Sequence, residues 1–216
     1  GCMSPAPRHN LPLELTHLVG REEPLAELQQ WLSTSRLVTL TGAGGCGKSR
    51  LAREVGRRVL DQTAYTHFVG TRRRQSPDAG RSTLASGDWR LATEIWLVEL
   101  APLAGPALVP AAVAAALEVR ETPGCSITHA LVEYLQPRPL LLLLDNCEHL
   151  IGACARLAET LLRACPYLRI LATSREPLRI PGEVTWRVPS LALPAADSPA
   201  SPDSLVQVEA VALFLD

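Results

Sequence analysis

The chain has 216 residues, of which 47% are hydrophobic, 20% charged and 4% aromatic, which suits one globular α/β domain and excludes a disordered or fibrous chain. Its 21 basic and 22 acidic residues give a formal charge of −1, so no global field draws it to nucleic acid or an anionic membrane. Lys48 is the only lysine, which leaves none for a guanine-reading Asn/Thr-Lys-x-Asp loop and only Lys48 for a Schiff base.

Residues 1–17 contain prolines and read as a loose leader; Gly1-Cys2 precede the only methionine, Met3, as an expression scar would. Leu25, Leu28, Trp31 and Leu32 recur at helical spacing and predict a short helix over 22–32. Residues 36–41 read as a buried strand running into a glycine-rich turn. A helix follows, with Leu51, Val55 and Val59 on one face. Residues 71–90 hold Arg72, Arg73 and Arg74, then mostly small polar residues, and read as a mobile surface insertion whose local charge suits a solvated loop.

A strand is expected at 95–100 and a helix at 106–117. Another helix is expected at 126–135, with Ser126 as its N-cap. Five consecutive leucines, 140–144, suit only a fully buried central strand. A helix over 148–165 carries Leu150, Cys154, Leu157 and Leu161 on one face; strands follow at 168–172 and 184–188, and helical character returns at 204–215. Strands alternating with helices predict a parallel sheet covered on both faces.

The six cysteines form no Cys-x-x-Cys pair and no zinc-ligand pattern, so reduced thiols in a cytoplasmic protein are expected. Cys46, Cys147 and Cys154 read as small or core residues. No apolar run approaches the ~20 residues of a membrane helix, and no membrane partner is expected.

Gly42-Ala43-Gly44-Gly45-Cys46-Gly47-Lys48-Ser49, followed by Arg50, matches the phosphate-binding pattern G-x-x-x-x-G-K-[ST] between a strand and a helix. Its glycines let consecutive N–H groups turn around an anion, and the helix N-terminus adds its dipole. Lys48 suits the β- and γ-phosphates and the Ser49 hydroxyl suits Mg²⁺. Leu140–Leu144 ending in Asp145 supplies a carboxylate for the same metal. Asn146 can only orient water. Glu148 is either a general base or the acidic start of a helix. Arg175, in Thr173-Ser174-Arg175, would face the γ-phosphate if its strand lies between the other two motif strands.

Leu18-Val19-Gly20-Arg21-Glu22, the phosphate loop, Asp145-Asn146-Cys147-Glu148-His149, Thr173-Ser174-Arg175-Glu176-Pro177-Leu178 and Ile180-Pro181-Gly182-Glu183 occur in that order. Together they resemble the STAND class of P-loop ATPases, in particular the NB-ARC-like domains of large bacterial SARP- and LuxR-type transcriptional regulators. The resemblance implies a three-layer P-loop core with a five-stranded parallel sheet in the order 2-3-1-4-5. The nucleotide domain would span 18–203, with 204–216 starting a helical subdomain that the chain end cuts.

Val19, Gly20 and Arg21 would lie on the adenine and ribose side, residues 42–50 on the phosphates, Ser49 and Asp145 on Mg²⁺, and Arg175 at the γ-phosphate. The expected activity is an ATP/ADP switch with slow Mg²⁺-dependent hydrolysis. It would self-associate in its ATP-bound full-length form and reach DNA only through domains outside this chain. A non-hydrolysing nucleotide-dependent scaffold and a P-loop small-molecule kinase are the alternatives.

Overall fold

The computed structural model describes residues 8–13, 21–73, 94–121 and 123–189, with backbone only in 63–73. In chain order the elements are β1 (Arg8–His9), α1 (Glu22–Thr34), β2 (Leu37–Thr41), α2 (Lys48–Arg73), β3 (Glu94–Glu99) and α3 (Val109–Ala116). They continue with α4 (Ile127–Leu135), β4 (Leu140–Asp145), α5 (Ile151–Ala164), β5 (Leu168–Ser174) and β6 (Glu183–Arg187).

The strands form one parallel sheet in the order β1-β3-β4-β5-β2-β6. The α/β class and the covered parallel sheet are as expected; the strand order and number are not. The strand expected fourth, β5, lies between β4 and β2, so the five expected strands run 2-3-4-1-5 and a sixth joins the edge.

Packing fixes this order. Arg36, just ahead of β2, donates to the carbonyl oxygens of Leu162 (2.8 Å) and Cys165 (3.1 Å) at the end of α5. Arg169 in β5 donates to the Ser35 carbonyl at 2.7 Å. Two arginines thus tie the exit of α5 and the start of β5 to the start of β2, satisfying helix-end carbonyls that have no partner inside the helix. Nothing in hydrophobic periodicity reports such a long-range tie.

The leucine run explains the layers. Leu140, Leu142 and Leu144 face the cluster formed with α3, α4 and α5. Leu141 and Leu143 face the opposite cluster, with Leu25, Leu28 and Leu32 of α1 and Leu51, Val55 and Val59 of α2. Alternate residues therefore bury on both sides, as a central strand of a three-layer fold requires.

Several boundaries shift. Trp31, expected on the apolar face of α1, is partly exposed and only Leu25, Leu28 and Leu32 of that set are buried. The expected helix 106–117 is a 3₁₀ turn (Pro106–Leu108) followed by α3, and the helix expected from Glu148 begins instead at Ile151, after a 3₁₀ turn over Cys147–His149. Ser126 caps α4 as expected, its hydroxyl accepting from the His129 amide at 3.2 Å.

The leader is not loose over residues 8–13. β1 pairs with β3, and Asn10 clips the same edge: its side-chain oxygen accepts from Leu97 N at 2.6 Å and its amide donates to Leu97 O at 2.8 Å. Leu11 is buried beneath α2. Of the expected insertion, residues 71–73 continue α2 and the rest lies outside the described residues, as do the segment expected to start a helical subdomain and the rest of the leader. Among the described residues, no helix is long and apolar enough to cross a membrane.

Candidate nucleotide site

β2, β5 and β4 are adjacent and parallel, so the loops leaving their carboxyl ends gather at one edge of the sheet, where open α/β sheets carry their ligand sites. β2 ends at Thr41 and the chain enters the loop over residues 42–47. Gly45 and Gly47 adopt φ of 78° and 87°, which side chains rarely tolerate. A Cβ on Gly42 would stand 3.0 Å from the Cys46 sulfur, so Cys46 is the small buried residue that fills the tight loop. Lys48 opens α2; its buried ammonium donates to the Gly42 (3.0 Å) and Ala43 (2.8 Å) carbonyls. Ser49 and Arg50, both half-buried, stand in the first turn of α2, where backbone N–H groups and the helix dipole favour an anion.

Asp145 ends β4 and is buried. The Thr173 hydroxyl donates to its Oδ1 and in turn accepts from the Asn146 amide at 2.9 Å. One hydroxyl of β5 therefore fixes the carboxylate that ends β4. Arg53 approaches the other carboxylate oxygen, with Nη2 3.6 Å from Asp145 Oδ2 and 2.8 Å from Glu99 Oε1. Thr173 and Arg53 are the residues that reading the sequence did not assign. Thr173 lay inside a noted motif, and Arg53 is one helical turn beyond Ser49, a spacing that stacks the two on one face.

Asn146 turns the chain, with φ of 64° and ψ of 55° in the left-handed region that asparagine tolerates better than most residues. The turn swings the next residues toward β5. Glu148 Oε1 lies 3.5 Å from Arg175 Nε, and its other oxygen is buried with no hydrogen-bond partner among the described residues. Arg175 also reaches toward the loop: its Nη2 lies 3.7 Å from where a Cβ of Gly44 would stand. The condition set for Arg175 is therefore met, because its strand does lie between the other two motif strands.

Arg21 is buried at the start of α1 and donates to the Pro189 carbonyl at 3.1 Å, beyond β6. Val19 and Gly20 lie outside the described residues. Among the described residues no three His, Cys, Asp or Glu side chains gather closely enough to cage a metal. The Asp145 carboxylate and the Ser49 hydroxyl are hard oxygen donors of the kind that suit Mg²⁺ completed by phosphate and water.

The AAA ATPase domain family matches residues 17–177, three quarters of the chain. The chain belongs to the AAA ATPase domain family. This AAA domain is 37% identical over 186 residues to an uncharacterized protein of Mycobacterium tuberculosis, a match covering 86% of this chain and 40% of that protein. It is 40% identical over 162 residues to a second Mycobacterium tuberculosis protein, whose name assigns it provisionally to HTH-type transcriptional regulators; the match covers 75% of this chain and 15% of the regulator. The AAA domain thus spans less than half the length of either relative. Among solved structures it resembles Cdc6p of Pyrobaculum aerophilum, with a TM-score of 0.50 and 15% identity over 82% of this chain and 46% of that one, a likeness of fold.

Proposed function

We propose that this AAA domain binds ATP and ADP with Mg²⁺ and acts as a slow ATPase switch within a longer regulatory protein of the STAND, NB-ARC-like kind. The observation that carries this reading is the place of β5 between β2 and β4, which sets Arg175 over the phosphate loop and beside Glu148. In this reading Lys48 exchanges its two loop carbonyls for phosphate oxygens, and the N–H groups of residues 42–50 cradle the phosphates. Ser49 and Asp145 would hold Mg²⁺, which would supply positive charge against the phosphates. Val19, Gly20 and Arg21 contact the adenine and ribose side. Arg175 leaves Glu148 for the γ-phosphate, and Glu148 then accepts a proton from the attacking water as ADP and phosphate form.

The homology to transcriptional regulators supports a place in signalling through partner domains beyond this chain. Self-association would accompany the ATP state, and DNA contact would come from those other domains. A second reading, a scaffold that binds nucleotide without hydrolysing it, draws on Asn146 beside Asp145 and on the engagement of Glu148 with Arg175.

Calorimetric titration of ATP, ADP and GTP tests the reading. Both adenine nucleotides should bind, GTP hardly at all, and Lys48→Ala should weaken ATP about tenfold or more. Tight GTP binding, or unchanged ATP binding in the variant, would overturn it. Phosphate release separates switch from scaffold: Asp145→Ala should slow it by about a hundredfold, and Glu148→Gln at the wild-type rate would remove Glu148 from the chemistry.

A further inference from the structure

Glu99 and Asp145 are register partners at the carboxyl ends of β3 and β4, so their side chains leave the same face of neighbouring strands. Two carboxylates placed in that way repel each other, and a cation between them relieves the repulsion. Arg53 is that cation. It projects from α2 one turn beyond Ser49, and its Nη2 contacts Glu99 at 2.8 Å while standing 3.6 Å from Asp145. The partners differ in solvation. Glu99 is 60% exposed and Asp145 only 9%, so the tighter contact is made to the carboxylate nearer water. Asp145 Oδ1 is already fixed by Thr173, which leaves Oδ2, the oxygen facing Arg53, as the one available to a further cation.

We propose that Arg53 guards Asp145 against a bare divalent cation, and that Glu99 is the residue onto which Arg53 withdraws when a metal–nucleotide complex binds. The proposal rests on the reading of Asp145 as the carboxylate on the metal side of a bound nucleotide. Both Arg53 and Glu99 are positioning residues: Arg53 acts through Asp145, and Glu99 through the guanidinium of Arg53. A divalent ion beside Oδ2 repels the guanidinium, and Glu99, one strand over and open to water, receives it without breaking the salt bridge already formed. Metal affinity is then set by a competition inside the protein. Removing Arg53 unmasks Asp145; removing Glu99 takes away a contact that draws the guanidinium off Asp145 and so masks it more.

The two variants should therefore act in opposite directions. The readout is the ADP affinity of the 216-residue chain by calorimetry, with magnesium and with chelator, the ratio of the two reporting the contribution of the metal. Relative to wild type, Arg53→Gln should raise that ratio and Glu99→Gln should lower it, each by about threefold to tenfold. Arg53→Gln/Glu99→Gln should follow Arg53→Gln, because Glu99 acts only through the guanidinium. ADP affinity in chelator should stay within about twofold for all three.

An unchanged or lowered ratio in Arg53→Gln overturns the proposal, as does a Glu99→Gln loss that persists undiminished in the double variant. Should Arg53→Gln fail to fold, Arg53→Lys, a shorter cation that forms no fork, should raise the ratio by a smaller step, and no change there also overturns it. Failure of wild type to bind ADP under either condition would instead overturn the nucleotide reading itself.

Discussion

Glu94 carries more of the fold than its place at the start of a strand suggests. Its buried carboxylate accepts from Arg138 at 2.9 Å, Trp96 Nε1 at 3.1 Å and the Tyr134 hydroxyl at 3.2 Å. Burial, then the Glu94 charge, raises the Tyr134 hydroxyl above its ordinary range, so it stays a donor at any physiological pH. Glu94→Ala leaves three donors without their acceptor and should cost about 2–3 kcal/mol in urea unfolding, since hydrogen bonds to charged groups are the expensive ones to lose. The cysteines divide by the same logic. Cys125 is exposed, whereas Cys147, Cys154 and Cys165 are buried. A hydrogen bond with Cys154, then burial, pushes the Cys147 thiol well above its ordinary range. At pH 8 its thiolate fraction therefore falls below that of a free cysteine. Peptide mapping after brief alkylation of the folded chain should find Cys125 modified and Cys147 intact until denaturant is added.

At the level of elements, α2 matters for how near it lies to the sheet. A Cβ on Gly56 would meet Leu11 Cδ1 at 3.1 Å, Leu143 Cδ1 at 3.3 Å and Ile95 Cγ2 at 3.4 Å. Leu143 and Ile95 sit on neighbouring central strands and have little room to give. Gly56→Ala gains ~1 kcal/mol of helix propensity but meets an overpacking cost of ~1–3 kcal/mol, so a net loss of about 1 kcal/mol is expected from denaturant unfolding. The Asn10 clip belongs to this scale too: Asn10→Ala should destabilise by about 1 kcal/mol and speed amide exchange at Leu97 in particular. What the sequence displayed follows from range. Leu140–Leu144, the Ser126 cap and the glycine-rich turn between β2 and α2 are local patterns of burial, cap and turn, and they read correctly. The Asn10 clip and the ties made by Arg36 and Arg169 join residues far apart in the chain, and single polar side chains leave no periodic trace. The strand order expected from the family resemblance therefore had no local pattern to correct it. Thr173 and Arg53 went unassigned because their roles exist only once β5 and α2 stand beside β4.

For the whole molecule, a ligand at the proposed site should stabilise by mass action alone. ADP with Mg²⁺ at a hundred times its dissociation constant should add ~2.7 kcal/mol to unfolding, visible as a shifted urea midpoint that Lys48→Ala loses. The sheet order has another consequence, in the time the chain takes to form. Among the described residues β2 pairs with β5 and β6, beginning with Leu37 opposite Ile170 and Glu183. During synthesis the apolar residues of β2 leave the ribosome well before either partner exists, and at ordinary elongation rates they wait on the order of ten seconds. The first strand of the site is among the last to find its place, and that interval is when a nascent chain has most need of a chaperone.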